Sequence, residues 1–231
     1  MKIKVCGMRD CGNIEELVKQ APDYMGFIFY DKSKRFVTDF PKVEIPSTIK
    51  KVGVFVNASI DEVVNKIGRY GLQAVQLHGD ESIEYCMKLN REIASSSFLA
   101  KTGRNVITNE EMSEVISLKD TQIIKAFSVD KYFDFSTTKE YECYCDLFIF
   151  DTKGESYGGT GIKYDWTILN NYIGEIPFLL SGGIGFNDVG IVNDFKHPKC
   201  LGVDLNSGFE DAPGVKNITK LRVFKDRLYE E

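Results

Sequence analysis

Short apolar runs recur along the chain, separated by stretches whose apolar residues return at helical spacing. Eight of these runs read as strands: Ile3–Cys6, Met25–Tyr30, Lys51–Val56, Ala74–Leu77, Ile123–Phe127, Leu147–Asp151, Phe178–Ser181 and Leu201–Leu205. Most are continuous apolar or β-branched runs without in-out alternation, as expected of strands covered on both faces of a parallel sheet. Between them, Ser59 predicts a helix start, with Glu62 three residues on as its capping box. Ile60, Val63, Val64 and Ile67 then form one apolar stripe. Ile83, Cys86 and Met87 give a shorter stripe, and Leu221, Phe224 and Leu228 line a terminal helix able to pack against the sheet. Thr38–Ile49 makes the weakest helix, because Pro41 and Pro46 interrupt it.

Eight strand–helix repeats place the chain in the α/β class, as a single (β/α)8 TIM barrel spanning residues 1–231. An open doubly wound sheet that binds a dinucleotide would carry G-x-G-x-x-G after its first strand. Cys6-Gly7-Met8-Arg9-Asp10 stands there instead. The crossover between strands 4 and 5, from Asn90 to Gln122, is elongated. It holds Ala94-Ser-Ser-Ser97 and then a second helix around Glu110–Leu118, read as a surface elaboration.

Composition narrows the function classes. Hydrophobic residues make up 43% and charged residues 27%, an ordinary globular balance. A net charge of −5 argues against nucleic acid as partner, and leaves room for a local phosphate pocket. No run approaches the ~18 apolar residues of a membrane helix, and the start MKIKVCGMRD has no secretory apolar stretch. The expected setting is the cytoplasm, with the six cysteines as free thiols and no membrane partner. Cys143-Tyr-Cys145 lacks zinc or thioredoxin spacing, and two histidines make a metal site unexpected. Monomer and homodimer both remain open.

In such barrels the active site lies at the C-terminal ends of the strands. That rule selects Cys6 after strand one, Arg35 after two, Asn57 after three, and Gln76 with His78 at four. It also selects Asp151 at six, Ser181-Gly182-Gly183 at seven, and Asp204 to Gly208 at eight. Ser181-Gly182-Gly183-Ile184 and Asn206-Ser207-Gly208 leave backbone amides unobstructed, and the loops after strands seven and eight are where many barrels hold phosphate. One glycine pair is ordinarily a tight turn; two at these places favour an anion. Cys6 reads either as a small buried hydrophobe or as a base with a lowered pKa. Asp151 reads either as a loop cap or as an acid, the latter requiring burial to raise its pKa. His78 is a second base or a neutral hydrogen-bonding residue lining the pocket. His197, before strand eight, is structural or solvated. Tyr157-Gly-Gly-Thr-Gly161 is a loop able to fold over a ligand, or a plain flexible turn.

Taken together, Lys4-Val-Cys-Gly-Met8, Gly26-Phe-Ile-Phe29, Ser33-Lys-Arg-Phe36 and Val52-Gly-Val-Phe-Val-Asn57 resemble phosphoribosylanthranilate isomerase. So do Val75-Gln-Leu-His-Gly79, Phe150-Asp-Thr-Lys153 with Tyr157–Gly161, Ser181–Ile184, and Gly202-Val-Asp204 through Gly208. The matches run in order from residue 2 to about residue 216. The resemblance implies the Amadori rearrangement of tryptophan biosynthesis, with Cys6 as general base and Asp151 as general acid. It implies Arg35 facing the anthranilate carboxylate, although Lys32, Lys34 and Arg35 also read as a solvated basic run. Gln76, His78, Gly182, Gly183, Asp204, Asn206, Ser207 and Gly208 would contact the substrate, the glycine loops holding its 5-phosphate. Both steps are proton transfers, so the resemblance implies no cofactor. Two departures stand out: Asn206, where serine is common in the family, and the length of Asn90–Gln122.

The Amadori isomerase of histidine biosynthesis resembles a duplicated half-barrel with aspartates at both catalytic positions, which Cys6 and the lack of clear halves oppose. Indole-glycerol phosphate synthase and ribulose-phosphate epimerase share the phosphate loops but do not predict Cys6, Arg35 and Asp151 together. A non-catalytic barrel that senses a phosphorylated metabolite would not need both Cys6 and Asp151.

Overall fold

The computed structural model describes residues 1–102, 118–152 and 165–229. Eight parallel strands close on themselves: β1 (Lys2–Val5), β2 (Tyr24–Ile28), β3 (Lys50–Phe55), β4 (Ala74–Leu77), β5 (Gln122–Val129), β6 (Leu147–Thr152), β7 (Phe178–Leu180) and β8 (Cys200–Leu205). Closure is made where β1 pairs with β8, Lys4 opposite Asp204 and Val5 opposite Leu205. Each expected strand is present, its ends within two residues of those read from the sequence.

The strands are apolar on both faces for two reasons. Tyr24, Val52, Ala74, Ile124, Leu147, Ile149 and Leu179 form a cluster of their own inside the barrel. Their neighbours Met25, Phe27, Val75, Leu77, Ile123, Phe148 and Phe178 join the larger cluster between strands and helices. Side chains alternate along a strand, so a residue's parity decides which layer it enters. Cys6, Gln76, Asp151 and Asp204 all carry the inward parity.

The wall is built from α1 (Cys11–Val18), α2 (Ile60–Tyr70), α3 (Ile83–Thr102), α4 (Val189–Asp194) and α5 (Ile218–Tyr229) among the described residues. The Ser59 side chain accepts from the Glu62 amide at the start of α2, and Gly71 ends it at φ 59°. Leu221, Phe224 and Leu228 of α5 are buried as expected. No described helix is long and apolar enough to cross a membrane.

Three connections depart from a regular repeat. Between β2 and β3 there is no helix; Phe40 covers the gap, its ring 4.4 Å from Tyr70 and 4.8 Å from Phe27. After β5 and β6 the described segments are 3-10 turns, Phe135–Tyr141 and Trp166–Asn171. There, Phe135 and Tyr172 pack edge-on against Phe150 at 5.5 and 5.1 Å. Large rings cover the sheet where a short turn cannot lay down a helical stripe. In the long crossover, Ala94–Ser97 lies within α3 and not in a break, because the preceding stripe of Cys86, Leu89 and Ile93 keeps the helix packed. Most of the expected helix at Glu110–Leu118 lies outside the described residues.

β9 (Glu210–Ala212) and β10 (Val215–Lys216) form a short antiparallel hairpin between β8 and α5, unforeseen in the sequence. The loops after β3 and β4 are fixed by another buried charge. Glu81 accepts from the amides of Asn57 and Gly79 at 2.8 and 2.9 Å, and from Lys125 Nζ at 3.0 Å. Both side chains are nearly fully enclosed. Glu81→Ala strands the Lys125 ammonium and two amides, so a loss of about 3–5 kcal/mol is expected, read from the urea unfolding midpoint.

Candidate active site

Every site residue chosen from the sequence lines one cavity at the C-terminal mouth of the barrel. Counted out into its open mouth, it takes in about 740 Å³ of empty space. Asn57 is the exception among the strand-end candidates. It takes a left-handed φ of 52° and accepts from the Asp80 amide, which gives it a loop role. His197 is structural: its Nε2 lies 3.0 Å from the Tyr172 carbonyl oxygen and its Nδ1 accepts from the Lys199 amide. Lys153 and Tyr157–Gly161 lie outside the described residues.

Cys6 follows β1 and is buried as a free thiol. Gly26 on β2 makes room for it, since a Cβ there would stand 2.8 Å from the sulfur. Burial pushes the thiol up, the Lys4 ammonium pulls it back, and Asp204 pushes it up again. Lys4, with no exposed surface, donates to Asp204 Oδ1 at 2.9 Å. Burial outweighs that partner and holds the Asp204 carboxyl above the usual range.

Asp151, next to last in β6, shares its charge with three neighbours. His78 Nε2 lies 3.3 Å from Oδ2, and Oδ1 accepts from the Thr152 amide at 2.9 Å and Ser181 Oγ at 3.3 Å. Burial pushes the carboxyl up, yet the His78 contact and these hydrogen bonds together hold it below its ordinary value. The condition stated for an acid, a pKa raised by burial, is therefore not met by Asp151 in this arrangement. Gln76 Nε2 stands 2.7 Å from His78 Nδ1, which orients the ring with Nε2–H toward Asp151. Gln76 Oε1 has no hydrogen-bond partner among the described residues.

The glycine loops after β7 and β8 both line the cavity. Gly182 and Gly183 adopt φ of 94° and 68°, a conformation that L side chains rarely reach. A Cβ on Gly208 would stand 2.2 Å from the Ile184 carbonyl oxygen, so the two loops touch. Gly182, Gly183, Ser207 and Gly208 line the cavity, and no backbone partner outside regular elements is found for their amides among the described residues. Such a nest of N–H groups suits a phosphate. Asn206 Oδ1 accepts from Lys216 Nζ at 2.8 Å, leaving its amide nitrogen to donate.

Arg35 separates from its basic neighbours: Lys32 and Lys34 are exposed, while Arg35 is buried. Its Nε and Nη2 form a fork on Glu210, at 2.8 Å to Oε1 and 2.7 Å to Oε2. No hydrogen-bond partner is found for Nη1 among the described residues. Glu210 and Lys216, from the hairpin, carry no signal in the sequence, whereas Lys4 had one: a charge two residues before Cys6 in an apolar strand. Among the described residues no group of three or more His, Cys, Asp or Glu could hold a metal ion.

A family model described as N-(5'-phosphoribosyl)anthranilate (PRA) isomerase matches residues 3–102 and 107–227. The chain belongs to this family. An N-(5'-phosphoribosyl)anthranilate isomerase from Parabacteroides distasonis is 43% identical over 233 residues, covering 99% of this chain and 93% of its own. Phosphoribosyl anthranilate isomerase from Thermotoga maritima aligns with a TM-score of 0.75 at 28% identity, over 99% of this chain and 98% of its own. A further solved phosphoribosyl anthranilate isomerase, in complex with reduced 1-(o-carboxyphenylamino)-1-deoxyribulose 5-phosphate, aligns with a TM-score of 0.73 at 26% identity, over 99% and 98%.

The Arg35–Glu210–Lys216 cluster, in this member of the isomerase family, makes a pH-dependent contribution. Burial pushes the Glu210 carboxyl up, but Arg35, Lys216 and the Gly214 amide bring it down from 4.5 to about 2. A depressed carboxyl stabilises the fold above its unfolded value and loses that effect as pH falls through its folded value. Glu210→Gln is therefore expected to lower the melting temperature at pH 7, with the gap to the parent closing between pH 4.5 and 2.

Proposed function

We propose that this chain, as one barrel domain, isomerises N-(5'-phosphoribosyl)anthranilate in tryptophan biosynthesis, with Cys6 as general base and Asp151 as general acid. The observation that carries the assignment of roles is the meeting of Cys6, Asp151, Arg35 and the two glycine loops in one cavity. The 5-phosphate would sit on the amides of Gly182, Gly183, Ser207 and Gly208, and the anthranilate carboxylate on Arg35 Nη1. Those two anchors set the sugar between the thiol and the carboxyl.

The reaction needs two proton transfers. Asp151 protonates the furanose ring oxygen, and the ring opens to a Schiff base. The Cys6 thiolate then removes the proton on sugar C2, leaving an enolamine that tautomerises to the ketone. Asp151 is held as an anion by its neighbours, so its proton must be delivered first. His78, 3.3 Å from it, donates its Nε2–H to the carboxylate and orients it, and the proton is taken up from solvent at the open mouth before the ring opens. Gln76 holds the His78 ring in register for that hydrogen bond.

Purified chain mixed with freshly formed phosphoribosylanthranilate is expected to speed the loss of anthranilate fluorescence; a rate equal to buffer would contradict the activity. Cys6→Ser and Asp151→Asn should each lower kcat by at least ~10²-fold while a product analogue still binds. Near-native turnover in either variant removes that residue from its role. Arg35→Ala should act mainly on KM, and an unchanged KM would move the carboxylate contact elsewhere.

A further inference from the structure

Lys4 is a charged side chain with no exposed surface, set among the apolar strands of the barrel interior. Two residues before Cys6 on the same strand, it shares the inward parity and lies one layer beneath the thiol. An ammonium drawn out of water needs a partner, and Asp204 Oδ1 supplies one at 2.9 Å across the β1–β8 seam. As packing, such a pair has little to recommend it, since apolar residues of similar volume fill an interior equally well. The adjoining cluster of Val52, Ala74, Ile124, Ile149 and Leu179 does so. A buried charge pair kept directly below a buried thiol calls for a chemical reason.

We propose that Lys4 is a positioning residue for the base: its ammonium stabilises the Cys6 thiolate, and Asp204 fixes that ammonium beneath the sulfur. This rests on the reading of Cys6 as the base. Burial disfavours the thiolate, the only form of cysteine that accepts a proton. Four charged groups face the sulfur: Lys4 from β1, Asp204 from β8, Lys216 from β10 and Arg35 from the β2–β3 connection. Glu210 answers both Arg35 and Lys216, and the His78–Asp151 pair stands elsewhere on the cavity wall. Lys4 is the strongest influence toward the thiolate. Asp204 opposes the thiolate, but it gives the ammonium a counter-ion in both states of the reaction. When the thiolate takes the C2 proton and becomes a thiol, Lys4 keeps all its protons and is answered by Asp204 alone.

The test compares the parent with Lys4→Met and with the double variant Lys4→Met, Asp204→Asn, which strands neither charge. Cys6 is titrated by ultraviolet thiolate absorbance against Cys6→Ser as blank, and kcat/KM is measured across pH. Both the titration and the rising limb of kcat/KM are expected to move up by at least about one pH unit, a roughly tenfold loss at pH 7 with KM little changed. The double variant, which also removes the opposing Asp204 charge, is expected to move both in the same direction by a smaller amount, and it carries the result if the single one does not fold. A titration that stays in place overturns the role of Lys4, even if activity falls. A titration that moves while the rate profile stays put supports the charge coupling and overturns Cys6 as the base.

Discussion

A strand closed into a barrel has two faces with different neighbours, and every second side chain must enter an interior shut off from water. That constraint organises the molecule. Apolar residues of one parity fill the interior, those of the other parity meet the helices, and the inward residue at each strand's end arrives at the mouth. Cys6, Gln76, Asp151 and Asp204 meet in one cavity because they continue the inward series of their strands. A shift of one residue in any strand would turn its candidate outward.

The same closure makes charge expensive, and the site manages it by pairing. Lys4 with Asp204 and Arg35 with Glu210 and Lys216 lie around the thiol, and His78 with Asp151 lines the same cavity. None of these is a surface ion pair of small consequence; each is enclosed enough for its geometry to matter. They also explain why burial alone misjudges the acid. Asp151 is buried, yet its hydrogen bonds outweigh desolvation. His78 and these hydrogen bonds favour its anion, so it can protonate a sugar only after taking up a proton.

Much of this was legible in the sequence, for identifiable reasons. Continuous apolar runs mark parallel strands, and position at the ends of those runs selects the mouth residues without knowledge of any contact. Asn57 shows the limit of that rule, since its left-handed backbone turns it into loop structure. The weak helix expected over Thr38–Ile49 does not form, Pro41 and Pro46 prevailing over its pattern, whereas the aromatic cover over β6 depends on contacts distant in sequence. Glu210 was invisible for the same reason: its partner Arg35 lies 175 residues away, and only the hairpin after β8 brings them together.

The central claim is that one cavity holds the substrate by both ends and presents sugar C2 to Cys6. A crystal structure of this chain with reduced 1-(o-carboxyphenylamino)-1-deoxyribulose 5-phosphate tests it most directly. The account predicts phosphate on the amides of Gly182, Gly183, Ser207 and Gly208, the ligand carboxylate on Arg35, and the Cys6 sulfur facing C2. A phosphate bound away from those loops, or a thiol turned away from C2, would contradict it.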